Sequence, residues 1–272
     1  GATMAHDADL ITKTFVAPGG TVRYFRAVAP GRREALFIHG LGVDKSWFAV
    51  HHARYRLNFA GWVVPDLPGH GESDHPADPA AFDMEAMAAA LAELLDAEGI
   101  REIVLVGHSM GGAVALALAQ QLRNSGAARV AGLVLAEGNL DANDAFLSAR
   151  VAAQSREDFS VCGWDALLAE LAAQRGMAGY LRTLRRAGPD TLHGCSVSLV
   201  AMSRAEVTVP LVEAVDTPRL FVFGARNRGR FTSEALARRL GPVAFVPRAG
   251  HAMYVDNPAG FWSVIRAFLA GL

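Results

Sequence analysis

Cysteine and lysine are both scarce in this sequence. Its 272 residues include two cysteines, Cys162 and Cys195, with no CxxC spacing. Two such thiols cannot form the disulfide framework of a small secreted domain, and their reduced state predicts a cytoplasmic location. Lysine occurs only as Lys13 and Lys45, and 26 basic residues against 27 acidic ones leave a net charge of -1. Because there is no basic excess, the chain is not expected to bind nucleic acid.

Long apolar runs and metal-binding patterns are missing as well. No stretch reaches the ~20 apolar residues of a membrane-spanning helix, so no membrane span is predicted. The first ten residues lack the basic region and apolar core of a secretory signal, and residues 1–3 are left outside the predicted domains. No His/Cys/Asp cluster has the spacing of a metal site, and no G-x-G-x-x-G follows a strand. Neither a metal nor another cofactor is therefore predicted.

Strand-like and helix-like segments alternate through most of the chain. A β-hairpin is predicted around Pro18-Gly19-Gly20, followed by apolar strands at 34–40, 61–66, 100–107 and 130–138 and helices at 84–99 and 111–126. Such alternation indicates an α/β fold, with a mostly parallel sheet flanked by helices. Residues 139–215 show only helical patterns, and the alternation resumes at 216. We therefore predict an α/β core of residues 4–138 and 216–272, with a helical cap (lid) of residues 139–215 over the carboxyl ends of the strands.

The segment GHSMG, at residues 107–111, matches G-x-S-x-G between a predicted strand and a predicted helix. The chain must reverse sharply there, and a Cβ at either flanking glycine would clash with the neighbouring strand or helix. The free N–H groups of the following helix favour a negative charge that develops beside Ser109. This pattern predicts that Ser109 is a nucleophile; the alternative is a strand-to-helix turn in which the serine is incidental.

Four motifs, in order along nearly the whole chain, resemble those of the α/β-hydrolase-fold family. They are HGLG at 39–42, DLPGHGES at 66–73, GHSMGG at 107–112 and GHAMYVDNP at 250–258. The resemblance implies an α/β-hydrolase fold and a serine esterase or lipase-like member with a helical lid. It also implies Ser109 as nucleophile, His251 as general base, and an oxyanion hole formed by the backbone N–H groups of Leu41 and Met110.

The acidic residue that usually completes this family's triad is missing from its usual place. The family pattern G-x-x-D corresponds here to GARN, which puts Asn227 at the aspartate position. An amide cannot stabilise an imidazolium by charge. Some relatives, the haloalkane dehalogenases among them, carry the acid at the end of the strand before the insertion, where this chain has Glu137. We favour Glu137 as the acid, then Asp141, then Asn227; the alternative for Glu137 is a solvated or helix-capping carboxylate.

Other polar residues in the motifs are expected to be structural. His39 is predicted to be a hydrogen-bonding residue of its loop and not a base, and His70 and Asp66 are predicted to build the Gly-rich loop after the fourth strand. His108 is predicted either to shape the turn at Ser109 or to touch the substrate.

A serine nucleophile with an oxyanion hole suits acyl transfer to water. The predicted function is hydrolysis of a small, apolar ester or related acyl compound through an acyl-enzyme. Thioesterases, C–C bond hydrolases, perhydrolases and acyltransferases share these motifs and stay open as alternatives, whereas Ser in place of Asp at 109 argues against dehalogenation. Aromatic residues of the insertion either line an acyl pocket or pack its own core; they are Phe146, Phe159, Trp164 and Tyr180. Asn227 favours an alternative of another class, a non-catalytic ligand-binding relative.

Overall fold

One eight-stranded sheet organises residues 10–55 and 60–272, which are the residues that the computed structural model describes. The strand order is β1-β2-β4-β3-β5-β6-β7-β8. The β1–β2 and β2–β4 pairs are antiparallel, whereas the five remaining pairs, which join β3 to β8, are parallel. The strands are β1 (Ile11–Ala17), β2 (Gly20–Ala27), β3 (Arg33–Ile38), β4 (Ala60–Pro65), β5 (Glu102–His108), β6 (Arg129–Ala136), β7 (Arg219–Gly224) and β8 (Val243–Val246).

The predicted hairpin and the predicted mostly parallel sheet are both confirmed. Ala17 pairs with Gly20 across the turn of Pro18 and Gly19, and Gly20 has a φ of 126°, a conformation that glycine adopts without steric cost. Residues 4–9 of the predicted core lie outside the described residues.

Helices cover both faces of the sheet. They are α1 (Ser46–Ala49), α2 (His52–Tyr55), α3 (Met84–Ala97), α4 (Met110–Ser125), α10 (Thr232–Leu240), α11 (Met253–Asp256) and α12 (Pro258–Ala270). Successive strand residues alternate between two buried clusters: Leu36 and Leu105 face one, Phe37 and Val104 the other. Both faces are therefore apolar, as expected for a parallel sheet between helical layers.

Residues 139–215, which we call the helical insertion, connect β6 to β7 without forming a strand. Short 3-10 and π turns accompany the helices α5 (Phe146–Ala152), α6 (Arg156–Asp158), α7 (Trp164–Ala172), α8 (Ala178–Met202) and α9 (Ala205–Glu213). Helix α8 is kinked at Gly188, where φ is 83° and ψ is 170°. Its second half begins with Pro189, a residue that fits the first turn of a helix. The helical content is confirmed, whereas the division into a separate core and cap stays a prediction.

Among the described residues, no single helix has both the length and the apolarity that a membrane span requires. Helices α8 and α9 meet these requirements only together, as a pair bent by 75°.

Candidate active site

Ser109 occupies the turn between β5 and α4 in a conformation that serine rarely adopts, with φ 54° and ψ -125°. A Cβ at Gly107 would lie 2.3 Å from the Gly111 carbonyl oxygen, and a Cβ at Gly111 would lie 2.1 Å from that of Ile38. Only glycine fits either position, so the two glycines allow the turn that projects Ser109 from the sheet edge.

Glu137 lies at the end of β6, the strand next to β5, and is 7% exposed. Its Oε1 atom lies 3.2 Å from His251 Nδ1. Its Oε2 atom accepts the Gly224 N–H at 2.8 Å, and Asn227 Nδ2 donates to both oxygens, at 2.9 and 3.1 Å. Both oxygens of the buried carboxylate thus have hydrogen-bond partners, and one of these partners is the histidine ring.

The surroundings of Glu137 keep its carboxyl group ionised. Burial raises the pKa of Glu137, but the hydrogen bond and charge of His251, together with the donors from Gly224 and Asn227, lower it by more. The net pKa lies below the usual value for glutamate, so the side chain is an anion at neutral pH.

The three residues considered for the position of the acid lie in different environments. Asn227, in a 3-10 turn after β7, donates its NH₂ group to Glu137. Asp141 accepts the Asn143 N–H at 3.1 Å and the Thr232 hydroxyl at 2.6 Å. Among the described residues, Glu137 is the one candidate acid with a contact to His251. From the sequence alone, Asn227 and Glu137 are alternative candidates for the acid, whereas in the fold they are hydrogen-bond partners.

The loop that carries His251 is held by its neighbours. Asp256 accepts both the Gly250 N–H, at 2.8 Å, and the Arg226 guanidinium, at 2.6 Å. A Cβ at Gly224 would lie 2.2 Å from the Gly250 carbonyl oxygen, so the end of β7 packs directly on this loop. The His251 side chain is 53% exposed.

His108 connects the Ser109 turn to the His251 loop. Its Nε2 atom lies 2.7 Å from the His251 carbonyl oxygen and must therefore donate a proton to it. Burial, followed by the nearby charge of His251, lowers the pKa of His108 to about 3, so the ring is neutral. Within the described part of the chain, no hydrogen bond joins the Ser109 hydroxyl to the His251 ring; such bonds commonly tighten when substrate binds.

His39 holds the loop that follows β3. Because the Leu67 N–H can only donate, His39 Nε2 accepts it at 3.0 Å, and the Nδ1 proton is then donated to the Gly40 carbonyl oxygen at 2.7 Å. Burial lowers the pKa of His39 to about 4. A neutral ring with a hydrogen bond at each nitrogen matches the predicted structural role of His39.

His70 makes the same kind of bridge on the other side of that loop. Its Nε2 accepts the Gly42 N–H at 3.0 Å, and its Nδ1 donates to the Pro68 carbonyl oxygen at 3.1 Å. Burial, followed by the nearby charge of His39, lowers the pKa of His70 to about 3. The predicted structural role of Asp66 also fits, since its buried carboxylate accepts from Lys45 N and Nζ at 2.8 and 2.6 Å.

Two backbone N–H groups flank Ser109 without a partner of their own. Leu41 N–H has no acceptor among the described residues. Met110 is the first residue of α4, so its N–H is one that the helix leaves unpaired. A Cβ at Gly40 would lie 3.2 Å from the Ser109 Cβ, so the two loops are in close contact. This pair can donate to a negative oxygen formed beside the serine.

The aromatic residues of the helical insertion differ in their surroundings. Phe159 is 1% exposed and packs against Trp164 and His193, whereas Phe146 is 65% exposed. Phe159 therefore belongs to the insertion's own core.

The described residues include no group of three or more His, Cys, Asp or Glu side chains that could hold a metal. Cys162 is exposed and Cys195 is buried, and both are free thiols.

The sequence profile of the Alpha/beta hydrolase family matches residues 35–264. The chain belongs to this family. A 2-succinyl-6-hydroxy-2,4-cyclohexadiene-1-carboxylate synthase of Yersinia pestis is 27% identical over 86% of both chains. An uncharacterized Mycobacterium tuberculosis protein is 36% identical over 110 residues, 40% of this chain and 31% of that protein, so the match spans less than a third of the relative's length. A thermophilic esterase from Thermogutta terrifontis is 25% identical, with a TM-score of 0.72 over 97% of this chain and 99% of its own.

Proposed function

We propose that this α/β-hydrolase family member is a serine hydrolase that cleaves a small, apolar carboxylic ester or related acyl compound. The proposed catalytic residues are Ser109, His251 and Glu137, and the N–H groups of Leu41 and Met110 form the oxyanion hole. The observation that carries the proposal is the 3.2 Å contact between Glu137 Oε1 and His251 Nδ1 beside a serine held in a left-handed turn.

In the acylation half of the reaction, His251 Nε2 takes the hydroxyl proton while Ser109 Oγ bonds to the carbonyl carbon of the ester. The carbonyl electron pair moves to oxygen, and the resulting oxyanion accepts the two N–H donors. The Glu137 anion holds the Nδ1 proton and stabilises the imidazolium. The protonated His251 then gives its proton to the departing alkoxide, which leaves as the alcohol.

Deacylation repeats these steps with water. His251 removes a proton from water, the hydroxide oxygen bonds to the acyl carbon, and the Ser109 oxygen leaves with the proton from His251. The carboxylic acid product is released, and the free serine is restored. The Glu137 carboxylate stays ionised throughout, in keeping with its lowered pKa.

A fluorophosphonate probe tests the nucleophile. It should label the wild-type protein and the Ser125→Ala variant, whose substitution lies at the far end of α4, but not Ser109→Ala. The wild type should also hydrolyse p-nitrophenyl esters, and a series of acyl lengths would report the depth of the pocket. Equal labelling of the Ser109→Ala variant and the wild type would contradict the mechanism.

The likeness to the Yersinia synthase over 86% of both chains favours a second candidate, a synthase reaction at the same site. Intact-mass measurement of a quenched ester reaction separates the two. A mass increase equal to the acyl group supports the hydrolase, whereas turnover in the synthase assay with no acylated protein supports the second candidate. A cytoplasmic location stays a prediction.

A further inference from the structure

The peptide group that joins Leu41 to Gly42, here called the 41–42 peptide, is held at both ends by side chains. Its carbonyl oxygen accepts the Tyr180 hydroxyl at 3.0 Å. Its N–H donates to His70 Nε2, also at 3.0 Å. Tyr180 belongs to α8 of the helical insertion, and His70 to the loop after β4. Two separate parts of the fold therefore prevent this peptide from rotating.

The preceding peptide group is fixed as well. The Gly40 carbonyl oxygen accepts His39 Nδ1–H at 2.7 Å and the Val43 N–H at 3.2 Å. In a trans peptide the carbonyl and the N–H point in opposite directions, so the Leu41 N–H is directed away from these partners. Of the four polar groups in the two peptides, the Leu41 N–H is the one with no acceptor among the described residues.

Helix α8 packs directly against this loop. Gly42 has a φ of 74°, and a Cβ there would lie 2.7 Å from Leu184 Cδ1 and 3.2 Å from the Tyr180 hydroxyl oxygen. Further along α8, Thr191 lies against Gly69, whose Cβ would be 2.6 Å from the Thr191 hydroxyl. Burial raises the pKa of Tyr180, so its hydroxyl keeps the proton that it donates.

We propose that Tyr180 and His70 are positioning residues of the oxyanion hole. By holding the 41–42 peptide from opposite sides, they keep the Leu41 N–H directed at the oxyanion. The helical insertion thus contributes to the catalytic geometry. This inference rests on the proposed function, because it requires that an oxyanion forms beside Ser109.

The variant Tyr180→Phe removes the hydroxyl and keeps the ring. Removal of a whole oxyanion donor costs about 10²–10³-fold in kcat, so misdirecting one should cost about tenfold, with KM changed less than about twofold. The affinity for a trifluoromethyl ketone should fall by the same factor, because its tetrahedral adduct carries the oxyanion whereas the bound ester does not. His70→Leu, which removes the acceptor on the opposite side, should give the same pattern.

Ser198→Ala is the matched control. Ser198 also links α8 to the core, since its hydroxyl donates to Asp83 at 2.9 Å and accepts the Met84 N–H at 2.9 Å, but it touches neither peptide. It should keep the wild-type kcat and ketone affinity even where its melting temperature falls.

Two results would overturn the inference. One is wild-type kcat and ketone affinity in folded Tyr180→Phe. The other is loss of kcat in both variants, Tyr180→Phe and Ser198→Ala, in proportion to their loss of melting temperature. A wild-type protein that neither hydrolyses esters nor reacts with fluorophosphonate would overturn the proposed function itself.

Discussion

Replacing Glu137 by Gln removes the negative charge beside His251 and keeps the shape of the side chain. In the wild type, Oε2 accepts the Gly224 N–H at 2.8 Å and Oε1 lies 3.2 Å from His251 Nδ1. If the amide oxygen of the variant keeps the Gly224 bond, its NH₂ group faces Nδ1. An NH₂ group only donates, so Nδ1 must accept and the ring proton moves to Nε2. In the proposed mechanism, Nε2 is the atom that takes the proton of Ser109.

The expected loss of kcat follows from the lost charge and the changed tautomer together. The corresponding change in a serine protease lowers kcat about 10⁴-fold. Here 53% of the His251 side chain is exposed, and water stabilises part of its imidazolium charge. We therefore expect a loss of about 10³-fold in kcat, or roughly 4 kcal/mol of transition-state stabilisation, with little change in KM.

Steady-state kinetics on p-nitrophenyl esters measures this loss. Glu234→Gln is the control, because Glu234 is a partly buried carboxylate that accepts the Gly229 N–H at 3.0 Å and, within the described residues, has no hydrogen bond or ion pair with His251. The kcat of this variant should stay within about twofold of the wild type, because the substitution leaves the contacts of His251 in place. The reasoning is refuted if Glu137→Gln keeps more than a tenth of the wild-type kcat, or if the control loses as much.

Two further predictions concern the partner of Glu137 and the buried histidines. Adding Asn227→Asp to Glu137→Gln should recover at least about tenfold of the lost kcat, because a carboxylate returns at the neighbouring strand end; no recovery would contradict the paired arrangement. Urea unfolding should show a lower free energy of unfolding at pH 5 than at pH 7.5. The unfolded chain binds protons at the usual histidine pKa of 6.5. In the folded chain the pKa is about 4 for His39 and about 3 for both His70 and His108, so these rings resist protonation. At pH 5 each histidine lowers the free energy of unfolding by about 2 kcal/mol relative to pH 7.5. Asp144, whose pKa burial raises to about 6, increases it by about 1 kcal/mol. Equal urea midpoints at both pH values would refute this prediction.

The strand–turn–helix unit around Ser109 could be predicted because its constraints are local. A turn this tight leaves no room for a Cβ at Gly107 or Gly111, and that requirement is visible in five consecutive residues. The capped start of α12 is another local case, because Asn257 Oδ1 accepts the Gly260 N–H at 3.1 Å and Pro258 occupies the first helical turn.

The contacts that hold the loop after β3, which carries the proposed oxyanion donor Leu41, could not be predicted from sequence. Tyr180 lies 139 residues from Leu41 along the chain, and nothing in the pattern of α8 separates a tyrosine that lines a pocket from one that bonds to a loop carbonyl. His108 is a similar case, since its bond to the His251 carbonyl joins residues 143 apart. Local patterns identify residue types, whereas these bonds depend on how the insertion and the strand ends come together.

Asn227 is better understood through Glu137 than through the aspartate that it replaces. The ends of β6 and β7 are neighbours, so a carboxylate on either can face the same ring nitrogen of His251. With Glu137 on β6, an aspartate at 227 would bring a second negative charge within about 3 Å, and one of the two would have to take up a proton. The amide donates instead to both Glu137 oxygens, at 2.9 and 3.1 Å. The contacts of Asn227 therefore fit the proposal that Glu137 is the acid, and a loss of kcat in Glu137→Gln would argue against an inactive relative.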